Sequence, residues 1–139
     1  MQKVKVSGTI NAPVEKVWEL ASNFGELNQI VEGVSDCTIE GNGVGAVRTL
    51  TLQDGGKVKE KLESLDKAKR VLKYSILDSP MPIQNYTGTM QVDELEDGRS
   101  KFSWSSTFDA ADGMEDDMKE ALEGLYNLGV KGLQQRFSG

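Results

Sequence analysis

The sequence predicts an α+β fold: a curved antiparallel sheet of about seven strands, two short helices after the first strand, and a long C-terminal helix. Short alternating runs fill the middle of the chain, from Val34 to Phe108. Turn signals rich in glycine and aspartate separate those runs. Apolar residues at helical spacing gather near the start and again after Met114.

Val4, Val6 and Ile10 mark the first strand. Ala12-Pro13 opens a helix, because proline suits the first helical position. Val14, Val17, Trp18 and Ala21 give that helix one apolar face, and Glu26 to Ile30 makes a second short helix. Cys37-Thr-Ile39 is a short strand, Gly41 to Gly45 a turn, and Val47 to Leu52 the next strand. Asp54-Gly55-Gly56 is a hairpin signal leading into Val58 to Leu65. A charged turn at Asp66 to Arg70 precedes Val71 to Leu77. Ser79-Pro-Met-Pro82 is a loop, since two prolines do not serve a central strand. Tyr86 to Leu95 and Lys101 to Phe108 form the last hairpin through Glu96-Asp-Gly98.

The final helix runs from about Met114 to Phe137, with Met118, Ala121, Leu122, Leu125, Leu128 and Leu133 on its apolar face. Glu115, Asp116 and Asp117 suit the positive end of its dipole. Gly124, Gly129 and Gly132 each cost such a helix about 1 kcal/mol, so close packing or room for a ligand must compensate.

The 139 residues are read as one domain, residues 1–139, long enough to bury a core without disulfides. There is no histidine, which excludes a histidine base, a Ser-His-Asp triad, a Cys-His dyad and histidine metal sites. The one cysteine, Cys37, allows no intrachain disulfide and no cysteine zinc site. Sixteen basic against 22 acidic residues give a net charge of −6, so nucleic acid is not an expected partner. No stretch has the roughly 20 apolar residues of a membrane span, and the start lacks an apolar signal core, so a cytoplasmic protein is expected. On that expectation the acceptor triplet Asn85-Tyr-Thr87 is a chance match. No cofactor is expected. Gly41-x-Gly43-x-x-Ala46 precedes a strand where a dinucleotide fingerprint needs a helix, and Asp109 to Asp117 lacks calcium-loop spacing.

Glu60 is the most informative residue. Alternation sets Val58, Glu60, Leu62 and Ser64 on one strand face and Lys57, Lys59, Lys61 and Glu63 on the other. The lysine face is the wet one, so Glu60 points inward, where a carboxylate must be paired or protonated. Its role is a polar contact for a ligand, a structural hydrogen bond, or that of a strand-end glutamate that bends to solvent. Leu72, Tyr74 and Ile76 share one strand face, and Tyr86, Gly88, Met90 and Val92 share another. Each tyrosine offers apolar area and one hydroxyl, which fits ligand orientation or ordinary core packing.

Ile10-Asn-Ala-Pro-Val-Glu-Lys-Val-Trp18, the element order and the long last helix resemble the START-related polyketide cyclase and lipid-transport superfamily, the helix-grip fold. Glu60-Lys-Leu-Glu63, Arg70-Val-Leu72, Asn85-Tyr86 and Glu115-Asp-Asp117 look like the plant abscisic-acid receptors and their bacterial relatives. The resemblance covers essentially the whole chain and implies a cavity between sheet and helix. It implies that Glu60, Tyr74, Ile76, Tyr86 and Gly88 face that cavity, with Leu50, Leu52, Leu62, Ala121 and Leu125 as apolar lining and Met81, Pro82 and Ile83 at its rim. Small residues at Gly88, Ala121 and Gly129 hint at space. The chain departs from the receptors at Ser35, where they carry a lysine, at the short Asp54-Gly-Gly56 turn, and at Met81-Pro82, so that hormone is not an expected ligand. Trp104 stays open: hydrophobicity turns Phe102, Trp104 and Phe108 inward, while the resemblance turns Ser103, Ser105 and Thr107 inward.

Three functions follow as expectations. The first is binding of a hydrophobic small molecule, such as a lipid, isoprenoid or polyketide. The second is an enzyme, a cyclase, dehydratase or hydrolase, with Glu60 as general base and Tyr86 as proton donor or oxyanion stabiliser. The third is a protein-interaction module that uses the lysine face or a strand edge.

Overall fold

A computed structural model describes residues 1–138. Strand β1 (Gln2–Ile10) leads to α1 (Val14–Ala21), a kinked 3₁₀ segment (Phe24–Gln29) and six further strands. These are β2 (Val34–Glu40), β3 (Val47–Leu52), β4 (Lys57–Asp66), β5 (Val71–Asp78), β6 (Ile83–Glu94) and β7 (Ser100–Ala110), followed by α2 (Glu115–Arg136). All seven strands form one sheet in the order β1-β7-β6-β5-β4-β3-β2, and every neighbouring pair is antiparallel. The predicted α+β helix-grip architecture is the observed one.

The sheet buries one face and wets the other, as strict alternation requires. Along β4, Val58, Glu60 and Leu62 are buried while Lys57, Lys59 and Glu63 are exposed. A bulge between Leu62 and Ser64 then reverses the pattern, so Leu65 packs against the core and Ser64 faces water. This corrects the inward placement of Ser64. Pro13 is the N-cap of α1 rather than its first helical residue, with extended ψ of 152°. β6 begins at Ile83, three residues before the expected start, and a bulge between Gln84 and Thr87 takes in Asn85 and Tyr86. Asn85 in that bulge takes a left-handed φ of 54°, a conformation asparagine tolerates, and its amide donates to Asp109 Oδ2 at 2.9 Å.

The core lies between the concave sheet face and α2. Leu72, Met90, Val92, Phe102 and Phe108 from the sheet meet Leu122, Tyr126 and Leu133 from the helix, all nearly inaccessible to solvent. Two of the helix glycines are explained by close packing. A Cβ on Gly129 would fall 2.6 Å from Trp104 Cζ3, and one on Gly132 would fall 1.7 Å from the Ile30 carbonyl oxygen. Gly124 differs, because a Cβ there meets nothing within 4 Å. Gly124→Ala is therefore expected to stabilise the protein by about 0.5–1 kcal/mol through helix propensity alone. A thermal melt checks this, and a lowered melting temperature would contradict it.

No helix among the described residues is long and apolar enough to cross a membrane.

Candidate functional site

Between the sheet and α2 lies a cavity of about 180 Å³, lined almost wholly by apolar side chains. Leu50 from β3, Val58 and Glu60 from β4, Tyr74 and Ile76 from β5, and Tyr86 and Trp104 from β6 and β7 build the sheet side. Ala121 and Leu122, with Leu125 one turn further on, close it from the helix. Leu52, Ile76, Met81, Ala121 and Leu125 are at least partly exposed and form the rim, while Glu60, Tyr74, Tyr86 and Trp104 are buried at the floor.

Nine of the sequence-predicted positions line this cavity: Leu50, Leu52, Glu60, Tyr74, Ile76, Met81, Tyr86, Ala121 and Leu125. Three do not. Leu62 is buried beyond it, where its amide donates to the Ala46 carbonyl. Ile83 faces a separate surface groove of about 430 Å³, shared with Met81, Pro82, Gln84 and Asp109 to Ala111. Gly88 makes no room for a ligand, because the Tyr74 ring occupies its missing side chain; a Cβ there would fall 2.3 Å from Tyr74 Cζ. Gly129 likewise receives Trp104.

Trp104 itself is inward and 1% exposed, so hydrophobicity decides the orientation of β7 over the receptor-like alternative. Its indole stacks on Tyr126 at 4.4 Å between centroids, and its Nε1–H donates to the Tyr74 hydroxyl at 2.8 Å. Tyr74 bonds Tyr86 at 2.8 Å, and Tyr86 bonds Tyr126 in turn. Indole is a donor only, which fixes Tyr74 as an acceptor. The three hydroxyls bring three protons, and the two links between them use two. Ser106 Oγ on β7 is buried without a hydrogen-bond partner among the described residues. Burial lifts all three phenols, Tyr74 and Tyr86 well above the ordinary range and Tyr126 to about 12, so each keeps its proton at neutral pH.

Glu60 is not alone. Arg48, 1% exposed, faces it across the β3–β4 hairpin as its direct cross-strand partner. Arg48 Nε donates to Glu60 Oε1 at 2.8 Å, and Nη2 lies 2.7 Å from the same oxygen in an ion-pair contact without an aligned hydrogen bond. Nη1 donates to the Phe24 carbonyl at 3.1 Å, and the guanidinium lies 3.9 Å from the Phe24 ring centroid. The cation is thereby held on the 3₁₀ segment, and Arg48 does not reach the cavity wall. Of the readings open from sequence, the structural one is realised in Arg48, while Glu60 also borders the cavity.

Burial holds the Glu60 carboxyl above the ordinary glutamate range, and the adjacent Arg48 offsets part of that rise. A folded value above the unfolded one means that the folded state binds the proton more tightly. The corresponding stability is complete below the ordinary glutamate value and is lost as pH climbs through the raised one. A carbon-detected NMR titration should place the Glu60 midpoint above that of a free glutamate. A midpoint at or below it would mean that Arg48 outweighs burial.

The relatives share this architecture. The protein XoxI from Bacillus cereus superposes with a TM-score of 0.92 at 32% identity, covering 99% of this chain and 96% of its own. An uncharacterised protein from Bacillus thuringiensis gives 0.91 at 30% identity, over 99% and 100%. A protein from Nitrosospira multiformis gives 0.86 at 26%, over 99% and 97%. The family model for polyketide cyclase / dehydrase and lipid transport matches residues 1–138. With that match spanning both walls of the cavity, the chain belongs to the polyketide cyclase / dehydrase and lipid transport family.

Proposed function

We infer that the protein binds an apolar small molecule in the cavity between the sheet and α2. The observation that carries this reading is the cavity itself: apolar walls, a polar floor and a partly exposed rim. Apolar burial supplies most of the affinity, and the floor groups orient the ligand. A volume of about 180 Å³ compares with the ~150 Å³ apolar cavity that takes up benzene. The match is to a one-ring isoprenoid or polyketide-like molecule; a long acyl chain would have to extend past Leu52 and Leu125. As a catalytic pair, Glu60 and Tyr86 gain no support: the carboxylate is neutralised by Arg48 and the phenol holds its proton tightly.

Native mass spectrometry of gently purified protein tests the reading, together with thermal melts against one-ring apolar compounds. A bound small molecule is expected, or a rise in melting temperature with at least one compound. Leu125→Trp, which adds bulk at the rim, should abolish the effect. If no compound raises the melting temperature and none co-purifies, the reading fails.

A further inference from the structure

The Arg48–Glu60 pair is asymmetric. Both guanidinium contacts converge on Oε1, at 2.8 and 2.7 Å. Among the described residues no donor reaches Oε2. Glu60 is 5% exposed and borders the cavity, and Oε2, unlike Arg48 Nη2 and Ser106 Oγ, is not sealed off from solvent. Arg48 is not placed to answer an anion there, since it does not line the cavity and its guanidinium is turned to Oε1, the Phe24 carbonyl and the Phe24 ring. The other cavity-lining polar groups, the Tyr74 and Tyr86 hydroxyls and the Trp104 N–H, already bond one another.

We propose, resting on the binding reading above, that the ligand is a neutral ring-sized molecule carrying a hydroxyl or N–H donor, and that this donor is taken by Glu60 Oε2. An acceptor-only ligand displaces solvent from Oε2 and leaves that oxygen without a donor. A carboxylate ligand is rejected, because its charge would be buried without a cation of its own and its oxygens would face Oε2, another acceptor. The selectivity is thus for phenols, alcohols or N–H heterocycles over hydrocarbons and acids of the same size.

The test uses four one-ring probes, the near-isosteric p-cresol and p-xylene with the slightly larger 4-methylanisole and benzoate, titrated against the whole chain. The Trp104 indole N–H resonance, in the cavity wall, is the NMR reporter. Transfer from water alone favours p-xylene over p-cresol. The proposal reverses that order, with p-cresol binding about fivefold or more tighter than p-xylene and 4-methylanisole, and benzoate not binding. Equal or tighter binding of p-xylene, or tight binding of benzoate, overturns the donor proposal and leaves the apolar cavity standing. Binding of none of the four removes the cavity reading itself. Glu60→Gln alone would strand Arg48, so the informative variant is Arg48→Met with Glu60→Leu, which replaces the pair by apolar groups. In that variant p-xylene binding should persist and the preference for p-cresol should vanish. A preference that survives there overturns the assignment to Glu60.

Discussion

Arg48→Ala is expected to destabilise the protein by about 3–5 kcal/mol, the range for removing one partner of a buried ion pair. The truncation leaves the Glu60 carboxyl, 5% exposed, without its cation. It also removes the donor to the Phe24 carbonyl and the guanidinium that lies on the Phe24 ring. Those contacts tie the 3₁₀ segment to β3, so the loss reaches beyond the charge. Replacing both partners, Arg48→Met with Glu60→Leu, should return most of the stability, because desolvation of the two charges no longer opposes folding. Urea unfolding of the single and paired variants measures the difference. A single variant that costs less than about 1 kcal/mol would mean that Glu60 simply takes up a proton at little cost.

The second large effect is at Gly132. By helix propensity Gly132→Ala should gain about 1 kcal/mol, as at Gly124. The sign reverses because the added Cβ would fall 1.7 Å from the Ile30 carbonyl oxygen, which is backbone and cannot rotate away. Relief requires α2 to lift from the segment before β2, opening contacts along the helix. We expect a loss of about 3 kcal/mol, the upper part of the range for overpacking. The Gly124→Ala and Gly132→Ala pair separates propensity from packing within one helix, and a thermal melt of Gly132→Ala that rises would remove the close approach from the account.

The fold was legible because strand alternation and turn chemistry agree along most of the chain. Where they failed, the cause was local. The bulge after Leu62 moved Ser64 outward, and periodicity cannot anticipate an extra residue. Arg48 left a signal that composition hides. It alternates with Leu50 and Leu52, both assigned inward, and the Asp54-Gly55-Gly56 hairpin sets it opposite Glu60. An inward glutamate needs a partner, and the register names it. Tyr126 was legible in the same way, one turn beyond Leu122 on the buried face of α2. Gly88 misled because a small residue leaves either space or room for a neighbour, and only the Tyr74 rotamer decides which. The depth of the cavity was not legible at all, since its walls and the core have the same composition.

An apolar molecule is expected to lie between the sheet and α2. Intermolecular NOEs from bound p-xylene to the protein test this most directly. Cross-peaks to the methyls of Leu50, Val58, Leu122 and Leu125 and to the Trp104 ring are the predicted result. Cross-peaks confined to Ile83, Ala110 and Ala111, in the surface groove, or no cross-peaks at saturating ligand, would contradict it.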